Sequence, residues 1–247
     1  MFLCNELKRN TMISTIPKWA GELLESVVGQ RAEVIHATYL SPYLKKVRFR
    51  SNIAHMNFQI GYASVIRVND IEYRNYTIAY HDIRTGILDI IFHLHDNGPG
   101  SQYAHSLNIG DQLYISSPRG RKVYQQKIKH QFFFGDETSL GLACSLLPML
   151  KQNKHLFQFY LELDDENKEV PALLGLENYQ IFPKDGSFSQ EKWIADLPLF
   201  YDEEWLDASY ILVGNVISIQ TFRKVLKNKG AKRISAQGYW LQGKKGL

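Results

Sequence analysis

A tetrapeptide inside a strand-like stretch, Arg74-Asn75-Tyr76-Thr77, combines a cationic fork, an aromatic plane and a hydroxyl. Strand alternation places Arg74 and Tyr76 on one face, and Thr77 on the other unless the strand bends. The arginine can hold a phosphate through two N–H groups, and the tyrosine can stack on a flat ring. Thr77 can hydrogen-bond the reactive nitrogen of such a ring. The set suits a flavin nucleotide, although a surface arginine beside two good strand formers is the alternative.

A glycine-rich turn follows about twenty residues later, in the run His95-Asp96-Asn97-Gly98-Pro99-Gly100-Ser101. Its small residues let the backbone approach a phosphate closely, and a helix that starts near Ser101 adds unpaired amides and a favourable dipole. The two motifs together indicate a phosphorylated ligand more strongly than either does alone. A plain hairpin turn is the alternative interpretation of the second motif.

Polar residues also follow the continuous apolar run 131–134, at Gly135-Asp136-Glu137-Thr138. In an open α/β sheet, ligands bind at the carboxyl ends of the strands, so Asp136, Glu137 and Thr138 are candidate binding residues. Thr138 or Ser139 would also cap the helix that follows, which is the structural alternative. No GxGxxG run follows any predicted strand, so the usual dinucleotide fingerprint is missing.

Two adjacent aromatic residues near the end of the sequence, Tyr239 and Trp240, need somewhere to pack. They can shield one face of a flavin or close the core. Separately, His93 and His95 share a strand face, but no third ligand lies at a diagnostic spacing, so we predict no metal site.

These residues lie on two different kinds of secondary structure. Between Ala32 and about Gln125, short segments rich in β-branched and aromatic residues alternate with turn signals, which predicts an antiparallel barrel or sandwich. The segments are 46–50, 63–68, 73–80, 87–94 and 112–116. After about residue 128, buried strands at 131–134, 156–163, 210–213 and 232–236 alternate with helices, which predicts a parallel sheet. We expect a β-barrel followed by an α/β domain, with no interpretation of residues 164–207 and a short amphipathic helix at 17–29.

The composition is that of a globular protein long enough for two domains, with 247 residues, 45% of them hydrophobic and 22% charged. The net charge of +4 is too small to indicate nucleic-acid binding, but it is compatible with an anionic ligand. Cys4 and Cys144 form no CxxC pair, which argues against a zinc site, an iron–sulfur cluster or a disulfide framework and fits a cytoplasmic location. We find no signal peptide and no run long enough to span a membrane, and Met12 is an alternative start.

Five sequence runs occur in an order that resembles the siderophore-interacting, FAD-binding family. They are RNYT, HLHDNGPGS, LNIGDQL with SPRG, FFFGDETS and GYWLQGKKG, and they match from about Glu33 onward, more weakly between about 165 and 205. The resemblance implies a ferredoxin reductase-like architecture. An N-terminal helical extension (1–30) would precede an antiparallel FAD-binding barrel (31–127) and a nicotinamide-binding parallel-sheet domain (128–247). The chain departs from the family pattern at Gly141, where proline is usual, and at Asn215, where glutamate is usual.

The resemblance also implies roles for the motif residues. FAD would be lined by Arg74, Tyr76 and Thr77, with Gly98, Pro99, Gly100 and Ser101 around its pyrophosphate and His95 close to the flavin. Asp136, Glu137 and Thr138 would face the nicotinamide, Tyr239 and Trp240 would shield the flavin, and Lys244 and Lys245 would attract an anionic substrate. Thr77 is the residue expected to take part in catalysis.

The implied function is an FAD-dependent oxidoreductase in which NADPH or NADH reduces the flavin, and the flavin passes electrons to Fe(III) held by a siderophore. Flavins convert a two-electron donor into one-electron steps, and the hard oxygen ligands of siderophores hold Fe(II) less tightly than Fe(III). A ferredoxin is an alternative donor. Two alternatives stay open: a general flavin reductase with another acceptor, and a flavoprotein that binds siderophore without turnover.

Overall fold

The computed structural model describes residues 29–95 and 98–244. The helix expected at 17–29 therefore lies outside the described residues, except for Gly29, which begins the first strand. Cys4 and Lys245 also lie outside them. Among the residues described, no helix is long and apolar enough to cross a membrane.

Within these residues the first domain is a closed barrel of six strands in the order β1-β2-β5-β4-β3-β6. The strands are β1 (Gly29–Ser41), β2 (Leu44–Ser51), β3 (Ala63–Arg67), β4 (Tyr73–Asp82), β5 (Ile87–His93) and β6 (Gln112–Ser116). All neighbours are antiparallel, and β1 closes the barrel by pairing with β2 on one side and β6 on the other. Every second side chain points inward, so that residues such as Phe49, Ile90 and Ile115 are fully buried. The predicted antiparallel barrel is confirmed.

One helix, α1 (Pro99–Ser106), connects β5 to β6 and closes the barrel interior. Ala104 on α1 and Leu107 just after it pack into the barrel core with Leu94 and Phe92. The helix expected to start near Ser101 is thus present and begins two residues earlier, at Pro99.

The second domain is a parallel sheet in the order β11-β10-β7-β8-β9, as far as the described residues show. Its strands are β7 (His130–Gly135), β8 (Leu156–Leu163), β9 (Tyr179–Pro183), β10 (Ser209–Asn215) and β11 (Arg233–Trp240). The connecting helices are α2 (Leu140–Gln152), α3 (Val170–Leu173), α4 (Glu191–Ala195) and α5 (Val216–Asn228). The chain reverses its direction of winding between β7 and β10, and ligands bind at such a switch point, beyond the carboxyl ends of the strands.

The two faces of this sheet are covered by different helices. Phe133 on β7 packs toward α2, whereas Phe132 and Phe134 pack toward α5. A strand buried on both faces has no polar alternation, which is why the continuous apolar run predicted a parallel sheet correctly. On α2, burial of the thiol raises the pKa of Cys144 to about 12, while the residue as a whole is partly buried.

The segment without a sequence interpretation contains the edge strand β9. Its five residues end at Pro183, and a proline at a strand end weakens the strand signal because it cannot donate a ladder hydrogen bond. The predicted sheet therefore lacked one strand, and with it the residues that follow β9 at the carboxyl end of the sheet.

Candidate functional site

Arg74 and Tyr76 on β4 lie against the first turn of α1. A Cβ atom built on Gly100 would lie 2.9 Å from the Tyr76 hydroxyl and 3.4 Å from the Arg74 Cγ. Only glycine leaves this approach open, so the start of the helix reaches both side chains. The structure brings the two sequence motifs together, and Arg74 and Tyr76 share a strand face as expected. We call this group, with the turn 98–101, the cradle.

Lys45 on β2 fixes the other end of α1. Its buried ammonium donates to the carbonyl oxygens of Ala104, His105 and Leu107 at 3.0, 3.0 and 2.7 Å. A cation at a helix C-terminus complements the helix dipole and satisfies carbonyls that lack an intrahelical donor. Burial lowers the pKa of Lys45, and Asp111 acts in the opposite direction. The lysine thus holds α1 with its first turn toward β4.

The turn before α1 is fixed by its own hydrogen bonds. Ser101 Oγ donates to the His95 carbonyl oxygen at 2.7 Å, and Gln102 N donates to the Gly98 oxygen at 3.0 Å. Gly98 provides no side-chain cap, and Pro99, the first helical residue, has no N–H. The Ser101 hydroxyl is therefore engaged within the turn, while the first helical amides have no intrahelical acceptor and can bind an anion. His95 is exposed.

The Arg74 guanidinium is partly buried and oriented by its own strand. It donates to the Tyr73 carbonyl oxygen at 2.9 Å and to Glu72 Oε1 at 3.0 Å. An arginine has five N–H donors in a fork, so these two contacts leave donors for a phosphate. The Tyr76 ring packs edge-on against Phe92, with 4.6 Å between centroids. Burial raises the pKa of the Tyr76 hydroxyl, which therefore stays protonated and can donate.

Thr77 lies where the barrel meets the parallel sheet. Its side chain hydrogen-bonds Tyr239 on β11, whose pKa burial raises to about 12 while Thr77 acts to lower it. A Cβ atom on Gly141 would lie 3.1 Å from the Thr77 carbonyl oxygen, so α2 begins in direct contact with β4. Thr77 is thus beside both the cradle and the carboxyl end of the sheet.

Asp136, directly after β7, is buried and its carboxylate accepts four hydrogen bonds. Oδ1 accepts from Thr138 N at 2.9 Å and from Thr138 Oγ1 at 2.5 Å. Oδ2 accepts from Asn215 N at 2.8 Å and from Trp240 Nε1 at 2.7 Å. Gly214 has a φ of +116°, and a side chain there would overlap the Asp136 carboxylate. The carboxylate therefore joins β7, β10 and β11 and fixes the indole of Trp240.

The cap at this turn differs from the expectation. Ser139 occupies the N-cap position of α2, as the structural alternative allowed, but its hydroxyl makes no capping hydrogen bond there. A short 3-10 turn at 137–139 precedes α2 and is capped by the Asp136 side chain. Ser139 Oγ instead donates to the Asp136 carbonyl oxygen at 2.6 Å. At the neighbouring strand end, Asn215 Oδ1 caps α5 by accepting from Ile217 N at 2.8 Å.

Glu137 is buried and forms an ion pair with Lys184, the residue after β9. Its Oε1 accepts from Asp164 N at 2.7 Å and from Asn167 Nδ2 at 3.0 Å. Ser41 on the barrel strand β1 donates to Asn167 Oδ1 at 2.6 Å, which links the two domains. Burial acts to lower the pKa of Lys184, but Glu137 and the neighbouring carboxylates raise it overall.

His93, at the end of β5, faces this ion pair. Burial lowers its pKa to about 4, opposed by Glu137 and Asp164 and assisted by Lys184 and His95. Within the described chain its Nδ1 is buried without a hydrogen-bond partner. Ligand atoms of His93, Glu137 and Asp164 lie within 4.8 Å of one another, but the Lys184 ammonium contacts both carboxylates, 3.1 Å from Asp164 Oδ2. The positive charge here is supplied by a lysine, so the geometry favours a polar cluster over a metal centre.

Glu162, near the end of β8, is the remaining buried carboxylate of this edge. It accepts from Ser218 Oγ at 2.8 Å. Burial raises its pKa to about 7, and Asp136 and Glu137 add to the effect, while Ser218 and Lys184 act to lower it. Glu162 therefore lies on β8 beside the switch point, where its bond to Ser218 joins β8 to the helix that follows β10.

Sequence reasoning found the cradle residues but missed Lys184, Glu162 and Asn167. The sequence pattern could have identified Glu162 as a candidate, because it is a single acidic residue between two leucines in a strand without polar alternation. Lys184 and Asn167 lie in the segment that had no interpretation. Lys244 is exposed beyond Trp240, and its backbone N–H donates to the Leu241 carbonyl oxygen at 3.0 Å.

A closed antiparallel barrel followed by a parallel five-stranded sheet, in the part of the chain described, is the fold of ferredoxin reductase-like flavoproteins. The structure is similar to that of a ferredoxin-NADP+ reductase variant from Plasmodium falciparum, with a TM-score of 0.66 and 15% identity over 85% of this chain and 96% of that one. At this identity the likeness shows the fold, and the expected ferredoxin reductase-like architecture is confirmed.

The family match is more specific. Residues 59–122 match the model of the siderophore-interacting FAD-binding domain, a stretch that contains both cradle motifs. Similar solved structures include a siderophore utilization protein from T. fusca, with a TM-score of 0.71 and 20% identity over 89% of this chain and 95% of that one. For the siderophore-interacting protein SipS from Aeromonas hydrophila, the TM-score is 0.68 and the identity is 20%, over 88% of this chain and 93% of that one. The resemblance to the siderophore-interacting family is confirmed, and with the fold it supports a flavin oxidoreductase. A comparison with curated protein sequences gave no match.

Proposed function

We propose that the chain is an FAD-dependent reductase that takes electrons from NADPH or NADH and passes them to Fe(III) held by a siderophore. The observation that carries the proposal is the approach of Gly100 to Tyr76 and Arg74, where a Cβ would lie 2.9 and 3.4 Å from their atoms. It sets an arginine fork, an aromatic hydroxyl and helix amides side by side, and these groups suit the phosphates and ring of a flavin nucleotide. FAD would supply the conversion of a hydride into single electrons.

Each cradle residue would have a different role in binding FAD. Arg74 would neutralise the phosphates, and Gly98, Pro99 and Gly100 would let the backbone approach them, while Ser101 keeps the turn in shape through its bond to residue 95. Tyr76 would contact the cofactor with its protonated hydroxyl. Thr77, in contact with Tyr239 at the domain junction, would hydrogen-bond the reactive part of the flavin ring.

The carboxyl end of the sheet would form the nicotinamide side. The side chains of Asp136, Glu137 and Thr138 are engaged within the protein, so we propose that they act through the backbone and by fixing Trp240. Tyr239 and Trp240 would exclude water from one flavin face, and His95 would lie at the rim of the cradle. Contacts within the chain hold the charged and aromatic groups of these residues in place before any ligand binds.

A ferric siderophore is the acceptor that the family match and the similar structures support. Lys244 and Lys245 would attract an anionic chelate, and reduction releases Fe(II) because hard oxygen ligands hold it less tightly. We place the activity in the cytoplasm and assign 31–127 to FAD and 128–247 to the reductant. A general flavin reductase with another acceptor is the second candidate, and a ferredoxin is a second donor.

The visible spectrum of the purified protein tests the proposal directly. Under anaerobic conditions we expect a flavin band that bleaches with NADPH or NADH and returns when ferric siderophore is added, with release of Fe(II). A protein that binds no flavin even after addition of FAD would contradict the cofactor assignment. Flavin that reoxidises with quinones but not with ferric siderophores would leave a general reductase.

A pair of glycine variants tests the cradle. Gly100→Ala places a methyl group on the Tyr76 hydroxyl, and we expect FAD affinity to fall at least tenfold, about 1.4 kcal/mol. Gly98→Ala meets nothing within 4 Å and should cost much less. Removing the hydroxyl with Tyr76→Phe in the Gly100→Ala background should recover part of the loss. Equal losses in both alanine variants would refute this account.

A further inference from the structure

A hydrogen bond joins the last strand of the sheet to the residue proposed to contact the flavin ring. Thr77 on β4 bonds Tyr239 on β11 through the two side-chain hydroxyl groups. Strand alternation places Thr77 on the face of β4 opposite Tyr76, and Tyr76 packs against Phe92 in the barrel core. The Thr77 side chain is therefore directed out of the barrel, toward the carboxyl end of the parallel sheet.

Tyr239 lies at a β-bulge near the carboxyl end of β11. The strands β10 and β11 pair in step as far as Gly214 with Gly238, and the next pair skips Tyr239 and resumes at Trp240. A bulge adds one residue to a strand and redirects the side chains around it, and bulges are common beside active sites. The bulge explains how two adjacent aromatic residues both reach polar partners at the domain junction, Tyr239 at Thr77 and Trp240 at the carboxylate that follows β7.

Both hydroxyl groups keep their protons at neutral pH. Burial raises the pKa of Tyr239 to about 12, and Asp136 adds to the rise while the bond with Thr77 acts to lower it. A neutral hydroxyl has one donor hydrogen, which can rotate, and two acceptor lone pairs. The bond between the two residues can therefore run in either direction, with Tyr239 or Thr77 as the donor.

The reactive nitrogen of a flavin needs opposite hydrogen-bonding partners in its two states. It accepts a hydrogen bond when the ring is oxidised, and it carries an N–H that donates one when the ring is reduced. When Thr77 donates to the ring, its oxygen can accept from Tyr239. When Thr77 accepts from the ring, its hydrogen can turn to the Tyr239 oxygen. The pair can thus serve both states by rotation of hydroxyl groups, with no proton passed between the residues.

We propose that Tyr239 is a positioning residue, whose hydroxyl sets the hydrogen-bond direction of Thr77 and allows Thr77 to bind both oxidised and reduced flavin. The proposal rests on the FAD-binding role argued above, and it gives the Tyr239 hydroxyl a role beside the shielding by its ring.

The two states depend on the Tyr239 hydroxyl unequally. Without it, Thr77 donating to the oxidised ring is left with an unused lone pair. Thr77 accepting from the reduced ring is left with a buried hydrogen that has no acceptor. A buried donor without an acceptor is the rarer and more costly case. Loss of the hydroxyl should therefore destabilise the reduced state more than the oxidised state and lower the reduction potential of the bound flavin.

The test measures this potential on the full chain loaded with FAD, by anaerobic reductive titration beside a reference dye. Tyr239→Phe removes the hydroxyl and keeps the ring. We expect the ratio of reduced-FAD to oxidised-FAD affinity to fall at least tenfold, which is about 30 mV for a two-electron couple. Tyr210→Phe is the matched control, because Tyr210 is a buried tyrosine near the amino end of β10 whose hydroxyl donates to the Trp205 carbonyl oxygen. The control should change the ratio less than twofold.

Variants of Thr77 test whether Tyr239 acts through it. In a Thr77→Val background, Tyr239→Phe should change the affinity ratio less than twofold, since the effects of residues that act together are not additive. Thr77→Ser retains the hydroxyl, so Tyr239→Phe should keep its full effect in that background. Urea unfolding of the single and double variants without FAD should also be non-additive, because the contact is present before any ligand binds.

The outcomes separate this role from the proposed function. An equal shift from Tyr239→Phe with and without the Thr77 hydroxyl would overturn the proposal, because the effect would then belong to the ring. If FAD binds and no variant of Tyr239 shifts its potential, the proposal fails and the FAD-binding role stands. A chain that binds no flavin would refute the proposed function and this role together.

Discussion

Glu162→Gln should stabilise the protein strongly at pH 8 and only slightly at pH 5. Glu162 is 6% exposed, and its carboxylate accepts one hydrogen bond from Ser218 and lies near Asp136 and Glu137. Burial, reinforced by those carboxylates, raises its pKa to about 7. Glutamine keeps the shape and can still accept from Ser218, but it carries no charge to bury.

The magnitude follows from proton linkage. A carboxyl group with a folded pKa of about 7 and an ordinary unfolded pKa binds more protons when folded, so the free energy of unfolding falls as pH rises between these values. The loss amounts to about 3 kcal/mol once the pH is above 7, since each pKa unit is worth about 1.4 kcal/mol. For a chain of this size that corresponds to roughly 6–12 °C in Tm.

Urea unfolding of both proteins at pH 5, 6, 7 and 8 measures the difference. We expect the advantage of Glu162→Gln to grow from about 1 kcal/mol at pH 5 to about 3 kcal/mol at pH 8. Glu191→Gln is the control, because Glu191 is exposed and paired only with Lys224, and its effect should stay below about 1 kcal/mol. A difference that is independent of pH, or a less stable variant at pH 8, would refute the reasoning.

Three further changes probe the same edge of the sheet. Lys184→Met should cost about 3–5 kcal/mol in urea unfolding, because it leaves the buried Glu137 charge unpaired. His93→Gln should remove an acid sensitivity: with a folded pKa of about 4, the neutral histidine contributes about 3 kcal/mol above pH 6.5, which is lost as pH falls through 4. Asp136→Asn should cost about 3 kcal/mol and shift the emission of Trp240 to longer wavelength, because an amide cannot accept at both positions.

Controls for these variants come from the surface. Lys151→Met breaks an exposed pair with Glu177 and should cost less than about 1 kcal/mol. If Lys151→Met costs as much free energy of unfolding as Lys184→Met, burial of the Glu137 charge is not the cause of the loss in Lys184→Met. Stability curves of His93→Gln and the unaltered protein that stay parallel between pH 7 and pH 4 would contradict the histidine assignment. Unchanged Trp240 emission in Asp136→Asn would contradict the indole contact.

The sequence predicted the cradle because its signals are local. Arg74 and Tyr76 are two residues apart on a strand, and the glycines of the turn mark a close backbone approach. What sequence patterns did not show was that Gly100 and Tyr76 come within contact distance, since that depends on how Lys45 anchors the far end of α1.

The polar cluster of His93, Glu137, Asp164 and Lys184 could not be predicted from the sequence, for a different reason. Its members come from separate strand ends that meet only once the sheet has formed, and Lys184 follows an edge strand with a weak signal. The first strand, Gly29–Ser41, was not singled out either, because irregular registers near Val34 and Tyr39 interrupt its alternation. Asp136 was expected to face a ligand, but its four hydrogen bonds could not be read from its position alone.

Burial of Cys144 has a consequence for chemical durability. Reduced flavin and Fe(II) both react with oxygen to form peroxide, so a ferric-chelate reductase works beside a source of oxidant. Peroxide attacks the thiolate form of cysteine, and a thiol with a pKa of about 12 is almost never a thiolate at neutral pH. If the proposed function holds, Cys144 would therefore resist sulfenic acid formation, and α2, which begins against Thr77, would keep its packing during turnover.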